Sequence, residues 1–169
     1  MKTITLLIAL AIAPMASYSQ SMFETLEEMN DVSSVIVNKD AFEILSKFNP
    51  KSNDNEAMEV FNMIKELNEF KWFSTDDIAV ANKMETMVKT AVKSLKLTEL
   101  MRAKDEDSRV KIYVRASINK EYVSEVLMFV RGISKKTNNK SESMILSLTG
   151  MINLNKMSEL ADTFIKDKN

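Results

Sequence analysis

Between Leu97 and Thr149 the apolar residues stop recurring at helical intervals and begin to alternate, and this change of period constrains the fold more than any other feature of the chain. Thr98 to Ala103 reads as a strand, Asp105-Glu106-Asp107-Ser108 as a turn, and Val110 to Arg115 as a second strand with apolar and polar residues in alternation. Asn119-Lys120 marks another turn. Tyr122 to Arg131 is apolar at nearly every position, the pattern of a central strand covered on both faces at its middle. Gly132 to Lys140 is polar and loop-like, and Met144, Leu146 and Leu148 then alternate with Ile145, Ser147 and Thr149 in a fourth strand expected to stop at Gly150. Strands joined by turns this short run antiparallel, because a parallel return needs a crossover of a dozen or more residues.

Helical spacing dominates the preceding half. Phe23, Leu26 and Met29 form a short stripe flanked by Glu24, Glu27 and Glu28, and Val32 to Val37 is β-branched enough to predict a strand. Lys39 to Phe48 places Phe42, Leu45 and Phe48 on one helical face that ends before Asn49-Pro50, and Lys51 to Asn55 is a polar loop. Ala57 to Leu67 predicts a helix through Val60, Phe61, Ile64 and Leu67, and residues 68–74, with Phe70, Trp72 and Phe73, a strand. Ser74-Thr75-Asp76-Asp77 is a helix start, with a hydroxyl three residues ahead of a carboxylate and acids placed to match the helix dipole. The helix it opens carries Ile78, Ala81, Met84, Val88, Ala91, Val92 and Leu95 on one face. Asn153 is expected to cap a last helix with the stripe Leu154, Met157, Leu160, Ala161 and Phe164, leaving Lys166 to Asn169 frayed. The fold class is therefore α+β: a single domain with a mainly antiparallel sheet of about five or six strands, helices packed on one face, and a C-terminal four-strand meander followed by a helix.

Residues 1–19 read as a secretory signal peptide: Lys2 gives a positive start, Ile4 to Ala13 an apolar run, Pro14 a break, and Ser17-Tyr18-Ser19 small residues at the cleavage site. The run is about half the roughly 20 residues needed to cross a bilayer. Cleavage between Ser19 and Gln20 leaves residues 20–169 as one α+β domain, a length that buries roughly two-thirds of its unfolded surface without staples. The chain has no cysteine. Disulfides and lipid attachment at a cysteine behind the leader are thereby excluded, so export predicts a soluble protein, periplasmic or secreted, with no membrane span or lipid anchor after cleavage. Histidine is absent too, which removes the commonest general base and metal ligand together. With a net charge of −1 and no basic stripe, neither nucleic-acid binding nor a membrane-binding basic helix is expected. Gly132 and Gly150 are the only glycines, so glycine-rich phosphate loops are unavailable.

Glu99 to Asp105, the alternating Val110 to Val114, the hydrophobic run Val123 to Val130, and Leu146 to Leu154 together resemble the domain-of-unknown-function family 4252, small exported proteins of Bacteroidota. The resemblance spans most of the mature chain and implies the fold and the compartment. Many members look like lipoproteins, and this chain lacks the cysteine that would carry the lipid. No activity, cofactor or site residue follows from the resemblance.

Candidate chemistry is sparse. Asp105, Glu106 and Asp107 place three carboxylates in a row, but without the alternating acids and central glycine of a calcium loop they read as a solvated turn. Asp76 and Asp77 are explained by helix initiation. Thioethers at helical spacing can hold Cu(I), and Met84 with Met87 is such a pair, although flexible core filling explains methionine better. Ser143 and Lys140 match no nucleophile motif, and Asn139-Lys140-Ser141 fits a glycosylation acceptor that chance often supplies. No catalytic, cofactor-binding or metal site is therefore assigned, and no cofactor. The expectation is a non-enzymatic binding or interaction module with a protein partner in the cell envelope. Two alternatives stand beside it: a carboxylate-dependent envelope enzyme such as a glycan hydrolase, and a regulator of envelope signalling acting through a membrane partner.

Overall fold

The computed structural model describes residues 17–47, 65–105, 108–118, 121–132 and 142–155. In chain order these residues form α1 (Ser17–Glu28), β1 (Ser33–Asn38), α2 (Lys39–Lys47), β2 (Leu67–Thr75), α3 (Ile78–Ser94), β3 (Thr98–Lys104), β4 (Arg109–Ala116), β5 (Tyr122–Arg131) and β6 (Ser143–Asn153). All six strands join one antiparallel sheet in the order β1-β2-β6-β5-β4-β3. β6 is thus inserted between β2 and β5, which places β1 and β3 at the two edges.

Side chains alternate across this sheet, and each face gathers its own apolar set. One face carries Phe73, Tyr113, Leu127, Phe129 and Ile145 against Met22, Phe23 and Leu26 of α1 and Val80, Met84, Val88 and Ala91 of α3. Phe23 and Phe73 stack with ring centroids 5.8 Å apart, and the Lys71 ammonium lies 4.6 Å from the Phe23 centroid. The other face holds a smaller cluster of Val114, Val123, Val126 and Ile152, with Leu67, Ile112, Leu148 and Leu154 against it. Apolar packing therefore reaches both faces of the sheet, as the unbroken apolar run of β5 predicts. Adjacent Val126 and Leu127 fall in different clusters, which is how a central strand comes to be apolar at consecutive positions.

Four expectations are corrected. Ser74 does not cap α3: it pairs with Met144 inside β2, and sheet pairing outweighs the local cap. Asp77 is the N-cap, its Oδ1 accepting the Val80 N–H at 2.7 Å, while the Thr75 hydroxyl donates to the Asp31 carbonyl at 2.7 Å. Ile78, assigned to the buried stripe, is 64% exposed because it stands at the first helical position, before α3 passes over the sheet. Leu67 belongs to β2 rather than to a preceding helix, and it pairs with Gly150. β6 does not stop at Gly150 but continues to Asn153, held on its other side by β5 through Val123↔Ile152 and Tyr122↔Asn153. Gly150 is needed there for a different reason. Its φ is +143°, and a Cβ on it would lie 2.4 Å from the Glu66 carbonyl oxygen, so β2 enters the sheet across a position only glycine can hold. Asn153 accepts the Asn155 N–H at 2.9 Å, the local bond expected of it, while the rest of the expected last helix and most of the helix at 57–67 lie outside the described residues.

Candidate functional site

The exposed features of this fold are its edges, and the two differ in how they are built. β1 reads Ser-Ser-Val-Ile-Val-Asn, six residues without a charge. It pairs with β2 in uninterrupted register from Ser33↔Ser74 to Asn38↔Glu69. Its ends are tied: the Val32 N–H donates to the Met29 carbonyl at 3.2 Å, and Asn38 Oδ1 accepts the Ala41 N–H at 3.0 Å to start α2. Val35 and Ile36 are nonetheless 49% and 39% exposed, and among the described residues no strand covers the outer side of β1. In an edge strand about half of the backbone groups point away from the sheet, so β1 offers a short row of donors and acceptors flanked by β-branched side chains.

The opposite edge carries the features that discourage pairing. All seven residues of β3 are exposed, but a bulge falls between Glu99 and Met101, and Glu99, Arg102 and Lys104 place charges along the strand. Glu99 and Arg102 pair at 2.8 Å. An uncharged regular edge on one side and a bulged charged edge on the other make β1 the side at which an extended segment can be added.

A groove of about 620 Å³ also opens between α1 and α3, lined by Thr25, Met29, Asn82, Lys83, Thr86 and Met87. One of the two methionines of the copper reading lines it. Met84 is fully buried in the core, whereas Met87 packs against that core and also lines the groove.

The sequence profile of the family described as Domain of unknown function (DUF4252) matches residues 23–160. The chain belongs to that family. The match begins at Phe23, on the buried side of α1, and takes in all six strands of the DUF4252 sheet. No curated protein and no solved structure matches the chain.

Other candidate residues of the DUF4252 chain serve the fold. Asp105 closes the β3–β4 connection, its N–H donating to the Ser108 carbonyl at 2.9 Å, while Glu106 and Asp107 lie outside the described residues. Ser143 is fully buried, and its hydroxyl donates to the Val130 carbonyl at 3.1 Å, which ties β6 to β5; Asn139, Lys140 and Ser141 lie outside the described residues. Among the described residues no group of three acids converges on a metal position, and no helix is long and apolar enough to cross a membrane.

Two acids missed at the level of sequence, the partly buried Glu85 and the buried Glu125, have shifted ionisations. Glu85 on α3 meets Lys89 at 3.0 Å and Arg131 at 2.9 Å, and these partners hold its carboxyl below the usual range, Lys89 most strongly. Arg131 also donates to Asn82 at 2.7 Å, so one guanidinium fastens α3 to β5. Glu125 is the reverse case: burial pushes its carboxyl up, and Arg115 at 3.0 Å only partly offsets this.

The signs of the two linkages are opposite. The stability from Glu85 is present above the ordinary carboxylate range and lost as pH falls through its lowered value. For Glu125 the folded chain holds the proton more tightly than the unfolded one, so its contribution is full at low pH and declines as pH rises through the raised value. Glu125→Gln should therefore raise the unfolding temperature relative to wild type at pH 7 and do so less, or not at all, at pH 4. Thermal scans of both proteins at the two pH values check this, and the same difference at both would contradict it.

Proposed function

We propose that this protein is a non-enzymatic interaction module of the bacterial cell envelope that takes a protein partner along the outer edge of β1. The uncharged, regular and exposed β1 edge is the observation that carries the reading, since main-chain pairing along an edge provides affinity and the flanking side chains provide selectivity. The leader supports the compartment. Cleavage between Ser19 and Gln20 would fall within the first turn of α1 and leave Met22, Phe23 and Leu26, the residues α1 buries, on the mature chain. With no cysteine to lipidate, the product would be free in the periplasm or outside the cell.

The test is affinity capture from an envelope extract with three immobilised forms of the mature chain: wild type, Ile36→Lys, and Leu100→Lys on the opposite edge. A partner retained by wild type and by Leu100→Lys but reduced at least tenfold by Ile36→Lys is the expected result, because a lysine on an edge strand disfavours addition of another strand. Equal retention by all three, or turnover of a glycan panel with no partner retained, would overturn the proposal.

A further inference from the structure

We infer that the β3–β4 hairpin holds a binding site for a phosphoryl group, separate from the β1 edge. The register sets Arg102 directly opposite Lys111 and Lys104 directly opposite Arg109. Since alternate residues of a strand share a face, all four cations project from the face that carries Tyr113 and α3. α3 packs over β2, β5 and β6, and the four line an open cavity of about 230 Å³ beyond it. Like charges directly opposite in a sheet are unfavourable, and here two such pairs are stacked side by side in a chain whose net charge is −1.

The next position across the sheet shows how the protein treats such a charge when it is structural. Arg131 stands opposite Arg109 and is matched by Glu85 at 2.9 Å, Glu142 at 4.0 Å and the Asn82 side chain. Arg102 has Glu99. Among the described residues Lys104, Arg109 and Lys111 have no ion pair within 4 Å, although Glu99 acts on Lys111 at longer range and Asp105 closes the same hairpin. What fits the cavity is an oxyanion with up to two charges, whose oxygens can accept from the planar guanidinium forks while the lysines add point charge. A carboxylate, with one charge, would leave most of the repulsion in place. The phosphoryl group can belong to a free phosphate monoester or to a lipid headgroup that ends in one.

The experiment uses the mature chain, with Arg109→Gln/Lys111→Gln as the test pair and Lys83→Gln/Lys93→Gln on α3 as a pair of equal charge change. Inorganic phosphate at constant ionic strength should raise the unfolding temperature of wild type and of the α3 pair, with at least a tenfold weaker apparent affinity for the hairpin pair. Relief of the cross-strand repulsion should leave the hairpin pair at least as stable as wild type without phosphate, which shows that the variant folds. Flotation with vesicles of phosphatidic acid in phosphatidylcholine, against phosphatidylcholine alone, separates the sources: flotation that the hairpin pair loses assigns a lipid headgroup, and a phosphate shift without flotation assigns a free ester. No phosphate shift together with no flotation, or equal losses in the two variant pairs, would overturn the inference.

Discussion

Gly150→Ala is expected to lower the unfolding temperature by roughly 10 °C. Two costs combine. The backbone at φ +143° lies in a region that side chains rarely adopt, which costs about 1–3 kcal/mol, and the added Cβ would meet the Glu66 oxygen at 2.4 Å and the Leu67 Cα at 2.8 Å. Those neighbours are backbone and cannot swing aside. The Glu66 carbonyl accepts the Met151 N–H at 3.0 Å, so relieving the overlap would pull apart the bond that seats the start of β2 beside β6, with overpacking adding about 1–3 kcal/mol. Denaturant unfolding of the variant beside wild type measures the sum. An unchanged midpoint would mean that β2 does not cross β6 this closely.

Phe73→Ala is the second large effect, about 3–5 kcal/mol of destabilisation, against a total of about 5–15 kcal/mol for a typical domain. Phe73 is fully buried, stacks on Phe23 with planes 13° apart, and sits between Ser34 of β1 and Ile145 of β6 in the register. Its loss therefore opens a cavity beneath α1. A double-mutant cycle with Phe23→Ala separates the ring contact from the cavity, and a coupling of about 0.5–1.5 kcal/mol is expected. Additive losses would show that α1 does not rest on β2 through this pair.

Much of the fold is legible in the sequence because it depends on periodicity. The apolar run Tyr122 to Arg131 is β5 from end to end, and Ala81, Met84, Val88 and Ala91 are buried along α3 as their spacing predicts. What periodicity cannot give is which strand lies beside which. Val35 and Ile36 read only as part of a strand, and the pairing of β6 with β2 rather than with β1 is what shows β1 to be an edge and leaves them exposed. Gly150 reads as a stop signal for a related reason, since the close approach that demands glycine comes from Glu66, 84 positions earlier in the chain. The hairpin cations are an intermediate case. Arg102, Lys104, Arg109 and Lys111 draw no attention one by one, yet they are spaced symmetrically about the turn, and that symmetry is the signal that pairing would bring them together.

The claim that β1 is the binding edge is tested most directly by amide hydrogen exchange on the mature chain, alone and with the captured partner. In the free protein the outward-facing amides of residues 33–38 should exchange quickly while those bonded to β2 are protected. Addition of the partner should protect the outward set and leave β3 unchanged, whereas protection confined to β3, to the α1–α3 groove, or to no part of β1 would contradict it.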